Sequence, residues 1–420
     1  MPLLGVLLVS TVVEELKMPG VRVGVQNLIL PGSAVGLLVL HRDAIGAVLA
    51  GHRRLLTLVA GLLAWTGIAA LVNSETALGL RVLAKTFTYA LPFLAFLVVL
   101  SLPGRQRAVY LTVLAFMVLL ALGGVAESVF PDSALFSLLR SPASLAMQPR
   151  ISSFLPWPNP FGVAMVSGVA LAAALFSHGW IGLRGSLFCQ TLFIIQAAQS
   201  GSRNAWATFL VILVLLALGP FRIRTLFPAL VFAVALFVLP VAAWQAGLRD
   251  RHEHVPVVEA FVPESARTAT SIAPVALSVD LRSLLWRAAA ENVARRPWLG
   301  IGPGVFSTKV APGVVDRPGL NTHSLALNIL VELGLPGLAL AVFALLAALR
   351  SGYVTGGAVH PAWAPLAALL VGQIVDCFLY DPTSVTLLLI FAASAATRPD
   401  RRSPRDAPAA ALAVASTTSA

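Results

Sequence analysis

Residues 320–349 read LNTHSLALNILVELGLPGLALAVFALLAAL. From Leu325 to Leu349 the single charged residue is Glu332. An apolar run of this length exceeds the ~20 residues with which a helix crosses a hydrocarbon core, so it is expected to span a membrane. The run does not alternate apolar with polar residues, which sets aside the strand of a transmembrane β-barrel. The same character recurs along the chain. Of its 420 residues, 58% are hydrophobic and only 11% are charged, with a mean hydropathy of +0.87. Soluble domains carry about 25% charged residues, so this chain lacks the polar surface to dissolve alone. The expected fold is all-α and polytopic in a membrane.

Apolar blocks mark about twelve transmembrane helices, at 2–16, 23–40, 55–72, 82–100, 108–126, 160–176, 185–199, 205–220, 225–244, 323–348, 363–376 and 383–397. PLLGVLLVSTVVEEL lacks a basic start and a small-residue cleavage site, so it is read as the first helix and not as a removed signal. With the N-terminus inside, HRDAIGAVLAGHRR, SLPGRQR, HGWIGLR, FRIR, RSGYVTGGAVHP and RPDRRSPR fall in the cytoplasm. They carry 13 of the 29 Lys and Arg residues, as the positive-inside bias requires. Both termini are then cytoplasmic. The formal charge of +11 is scattered through loops and forms no basic domain, so no nucleic acid is expected as a partner.

This divides the chain into N-terminal transmembrane helices (1–126), an external loop (127–159), central helices (160–244), a large external loop (245–322), C-terminal helices (323–397) and a cytoplasmic tail (398–420) expected to be disordered. In the large loop, SVDLRSLLWRAAAENVARRPWLG places Leu281, Leu284, Leu285, Ala288 and Ala289 at helical spacing. It predicts an amphipathic helix over the membrane mouth, capped by Ser278 or Asp280 and stopped by Pro297. Gly300, Gly302 and Gly304 follow in a tight turn able to offer backbone amides. They match neither a dinucleotide fingerprint nor a phosphate-binding loop.

The external side gathers a small polar set. Arg203 stands in QAAQSGSRNAWATFL among Gln196, Gln199, Ser202 and Asn204. It is either an arginine snorkelling to the interface or part of a polar cavity wall. Arg282 and Trp286 lie four apart on the amphipathic helix, as a site pair or a solvated face. Arg287, Arg295 and Arg296 are assigned to solvent or lipid headgroups. His323 heads the tenth span as a cap, a carbonyl partner or a proton acceptor, and Asn321 stands two residues before it. Glu332, roughly 13 Å deeper, needs a partner or a proton; an arginine or a broken-helix amide would serve, with Gly334, Pro336 and Gly337 permitting a kink. Asp376, Tyr380 and Asp381 in VDCFLYDPTS form a polar cluster ranked second. Cys189 and Cys377 sit in apolar segments as buried hydrophobes. RDRHEHV, at 249–255, lacks zinc-like spacing, so neither a metal nor a cofactor is expected.

Arginines at one mouth between greasy spans suit a lipid diphosphate, because guanidinium makes charge-assisted contacts to phosphoryl oxygens. Histidine can accept a proton from an attacking hydroxyl near neutral pH. GSRNAW, LRSLLW with ARRPWLGIGPGVF, NTHSLALNILVELGLPG and the upstream RISSFLPWPNPFG, in that order around a large external loop, resemble the O-antigen ligase/polymerase superfamily of bacterial envelope glycosyltransferases. The resemblance covers about 150–340.

It implies a metal-independent, inverting glycosyltransferase of the inner membrane with a periplasmic site. The glycan would move from undecaprenyl diphosphate, in a ligase to the lipid A–core of lipopolysaccharide. By the same resemblance Arg203 and Arg282 bind diphosphate and His323 activates or positions the acceptor. Arg150, Trp286, Asn321 and Tyr380 are further candidates for substrate binding, and Glu332 for structural support. The Asn-Thr-His order departs from the family's adjacent Asn and His, which leaves the partner of His323 open. Alternatives are an O-antigen polymerase, a protein O-oligosaccharyltransferase and, from another class, a transporter of lipid-linked glycan. The missing pair of matched broken helices counts against the last.

Overall fold

The computed structural model describes residues 2–11, 26–73, 76–130, 151–155, 157–218, 273–315, 320–352, 360–377 and 381–397. The expected span at 225–244, most of both long loops, Arg150, Tyr380 and the tail lie outside the described residues. Within them every regular element is a helix: α1 (Pro2–Ser10), α2 (Gln26–Leu40), α3 (Arg42–Gly51), α4 (Arg53–Val72), α5 (Thr76–Ser101), α6 (Arg105–Val129), α7 (Pro158–Ser177), α8 (Leu183–Gln199), α9 (Arg203–Leu218), α10 (Ala273–Arg295), a π-helical turn (Phe306–Val310), α11 (Ala311–Val315), α12 (Leu325–Gly352), α13 (Trp363–Val375) and α14 (Pro382–Ala396). Five helices among them are long and apolar enough to cross a membrane, and the bent pair α2–α3 makes a sixth candidate. The protein is an all-α polytopic membrane protein.

α7 is the hub. Nearly all of its residues from Pro158 to Leu175 are buried, and it packs against α6, α8, α9 and α13. Between membrane helices, close packing does the work that water-driven burial does elsewhere, and small residues permit it. A Cβ at Gly168 would stand 2.8 Å from the Phe193 ring of α8, so α8 approaches as it does because α7 has no side chain there.

One expectation gains a helix and another needs correction. The segment 41–54, read as a cytoplasmic connection, holds the helix α3, bent 95° from α2. Ala44, Ile45 and Val48 share a helical face and turn inward, while Arg42, Asp43 and Ala47 are exposed; that periodicity makes an amphipathic helix. α10 begins at Ala273, so Ser278 and Asp280 lie inside it and not at its N-cap. Pro297 does stand just past its end.

The quoted stretch becomes α12 with a break. Gly334 adopts φ 69°, ψ −173° inside it, a conformation that favours glycine. Four of the freed backbone groups find partners outside the helix, as a membrane interior demands. Val331 O accepts from Ile301 N (2.9 Å), Glu332 O from Gly302 N (3.1 Å) and Leu333 O from Trp65 Nε1 (2.8 Å), while Leu335 N donates to Pro297 O (2.8 Å). Pro336 has no N–H to offer Glu332 O, so the break falls where an intrahelical bond was already unavailable. A Cβ on Gly334 would meet Trp298 O at 2.3 Å. The glycine turn after α10 therefore docks onto α12 backbone to backbone.

Above the break a second apolar cluster, separate from the main core, joins Leu285, Ala289, Ile301, Val305, Phe306, Ala311 and Val331. It fastens α10, the glycine turn and the π-helical turn to the first part of α12. Buried Glu332 completes this joint, its carboxylate accepting from the backbone N–H groups of Gly304 and Phe306.

Candidate active site

Immediately before α12 the chain makes a tight, heavily bonded bend. His323 has φ 51°, a left-handed conformation that costs a non-glycine residue about 1–2 kcal/mol. Its neighbours hold it there. Asn321 Oδ1 accepts from His323 N (2.7 Å), Thr322 O accepts from Trp286 Nε1 (2.6 Å), and Thr322 Oγ1 donates to Ser324 O (2.8 Å). Asn321 Nδ2 also donates to Cys377 O (3.3 Å), so one amide side chain positions the histidine backbone and the end of α13 together.

Across from this bend stands Asp376, the C-cap of α13, in extended conformation. Its Oδ1 accepts from His323 Nδ1 (2.8 Å) and Cys377 N (3.0 Å); Oδ2 accepts from Asn159 Nδ2 (2.9 Å) and lies 4.0 Å from Arg282 Nη2. Hydrogen bonds from His323, Asn159 and the Cys377 amide, with the Arg282 guanidinium nearby, all favour its ionised form. Asp376 is therefore an anion that fixes the Nδ1–H tautomer of His323 and leaves the Nε2 lone pair to take a proton. The His323 side chain keeps 22% of its exposure, enough for a reactant to reach it.

Arg282 projects from α10 with its side chain 27% exposed, between the buried carboxylate and the open side. Trp286, one turn on, holds the His323 bend by its indole N–H and is itself 43% exposed. Arg203 opens α9 and is exposed. The adjacent Asn204 donates to Gly372 O (2.8 Å), the carbonyl that also accepts from Asp376 N (3.2 Å). The start of α9 is thus tied to the turn that presents Asp376.

The structure brings His323, Asn321, Arg282 and Trp286 together and ties the segment bearing Arg203 to them. Glu332 stands apart, at the α12 joint. Two further residues join the site. Asp376, which the sequence ranks second with Tyr380 and Asp381, lies at its centre. Asp381 belongs elsewhere, capping α14 by accepting from Ser384 N (2.7 Å). Burial, against the Ser384 hydrogen bonds and the Lys85 charge, raises its carboxyl to about 6. Asn159 had appeared only as part of PWPNPFG. An acid closing an apolar run was the available signal for Asp376, and nothing local distinguished it from Asp381. Among the described residues no group of three or more His, Cys, Asp or Glu is placed to hold a metal ion.

A carboxylate orienting a His, beside an arginine and open on one side, has the chemistry to take a proton next to an anionic group. Residues 190–342 match the family model described as O-antigen ligase. That span contains Arg203, Arg282, Trp286, Asn321, His323 and Glu332, and the match supports the resemblance to the O-antigen ligase/polymerase superfamily. No curated protein matches the chain.

Proposed function

We propose that the protein is an O-antigen ligase of the bacterial inner membrane, joining glycan carried on undecaprenyl diphosphate to lipid A–core at the periplasmic face. The observation that carries this reading is the His323–Asp376 pair beside Arg282, with His323 and Arg282 on the segment matched by the O-antigen ligase family model. A hydroxyl of the acceptor core sugar attacks the anomeric carbon of the donor. The new C–O bond forms as the bond to the diphosphate oxygen breaks, and the leaving group departs with the electron pair. The hydroxyl proton passes to His323 Nε2, and the imidazolium formed is stabilised by Asp376. Arg203 and Arg282 meet the charge growing on the diphosphate, the stabilisation that such a departure requires. Displacement in one step inverts the anomeric configuration. Since the donor is already activated, no ATP enters.

The test combines purified protein, undecaprenyl-diphosphate glycan and lipid A–core, without ATP and with a chelator. Glycan on lipid A–core supports the ligase. Elongated lipid-linked glycan in its place identifies a polymerase, and absence of both products removes the reading.

A further inference from the structure

The outward face of α10 has no part in the chemistry above, yet it begins at the site. Trp286 bonds the His323 bend, and from there Arg287, Glu291 and Arg295 follow at intervals of four, all exposed. That spacing sets them on one helical stripe roughly 12 Å long. No ion pair among the described residues engages Arg287 or Arg295. Beyond the helix end Trp298 is 67% exposed, while Arg296 is held to Asn73 at the end of α4 (2.8 Å). The stripe therefore runs from an amphipathic indole near the end of a membrane-crossing helix up to the catalytic histidine.

We propose that this stripe binds the acceptor, and that the acceptor headgroup it fits is an anionic saccharide bearing phosphate or carboxylate groups. The inference rests on the glycosyltransferase reading and adds the side from which the acceptor approaches. Two arginines against one glutamate give the face its charge complementarity. Guanidinium forks suit the planar pairs of oxygens on such groups. The exposed tryptophan offers a flat apolar surface for the faces of sugar rings. Continuity with Trp286 and His323 favours a reactant over phospholipid headgroups, which need no path to the histidine.

The experiment measures binding of core oligosaccharide, with its phosphates intact or removed by phosphatase, to the full chain in nanodiscs. The unaltered protein should prefer the phosphorylated form, and added salt should weaken that preference by screening. Arg287→Gln/Arg295→Gln should lose about tenfold in affinity for the phosphorylated form, the scale of losing charge-assisted contacts at an exposed site. Its thermal unfolding should match the parent. Trp298→Ala should weaken both forms alike. Equal binding of the two forms by the parent overturns the proposal. So does a double variant that loses its response to phosphatidylglycerol in the nanodisc while saccharide binding is unchanged, since that assigns the arginines to lipid. If the parent binds selectively but transfers no glycan, the function proposed above fails and the binding face stands.

Discussion

Asp376 shows how much one side chain organises. It meets His323, Asn159, Arg282 and the Cys377 amide with two oxygens. Asp376→Asn keeps the shape but can present an amide N–H toward Nδ1, which favours the wrong imidazole tautomer. Turnover should fall by roughly 10²–10⁴-fold, the range seen when an orienting carboxylate is lost. Donor binding, measured separately, should change far less; equal losses in both would make Asp376 a packing residue only. Asp381 makes an opposite prediction. Its carboxyl is raised to about 6, so its contribution to stability is fully present below the ordinary carboxylate range. It is lost as pH rises through about 6. Asp381→Asn retains a good helix cap without the charge. Its Tm relative to the parent should therefore improve as pH rises from about 5 to about 8, and an offset flat with pH contradicts the argument.

Among the elements, α12 matters most, because its break sets where the His323 end points. Gly334→Ala would force a side chain into φ 69° and against Trp298 O. A loss of about 1–3 kcal/mol follows from the backbone conformation alone, one that essentially only glycine adopts, and the collision adds to it. Trp65→Phe removes the donor to Leu333 O and should cost about 1–3 kcal/mol by leaving a carbonyl unsatisfied. Thermal unfolding in detergent checks both, and an unchanged Tm in Gly334→Ala would mean that α12 runs straight. The kink was legible in the sequence, since Gly334, Pro336 and Gly337 cluster there. The glutamate beside it was only half legible: amides or an arginine were foreseen, and the amides of Gly304 and Phe306 hold it. Which backbone would come to meet it depended on tertiary docking of a loop some thirty residues upstream, and no local pattern encodes that. α3 was missed because basic ends on a short weakly apolar segment look like a connection, although its helical periodicity was present.

Over the whole molecule, composition was enough to indicate an all-helical membrane protein, because hydrocarbon leaves few solutions for the backbone. The site was legible only in pieces. His323, Arg203 and Arg282 stood out as polar residues at span ends. Asp376 and Asn159, 217 residues apart, could be joined to them only by folding. The bias of Lys and Arg toward one set of loops predicts that Arg54 and Trp298 face opposite sides. Cys189 and Cys377 are buried and form no disulfide, so single cysteines at positions 54 and 298 should react with membrane-impermeant maleimide from opposite sides of oriented vesicles. Labelling of both from one side contradicts the topology.

The central claim is that His323, oriented by Asp376, takes the proton of an attacking sugar hydroxyl. It is tested most directly by single-turnover transfer from undecaprenyl-diphosphate glycan to lipid A–core, comparing the parent with His323→Ala at saturating donor and acceptor. The account predicts transfer by the parent and loss of at least about 10²-fold in the variant, with its fold and donor binding retained. Near-normal turnover by His323→Ala contradicts it.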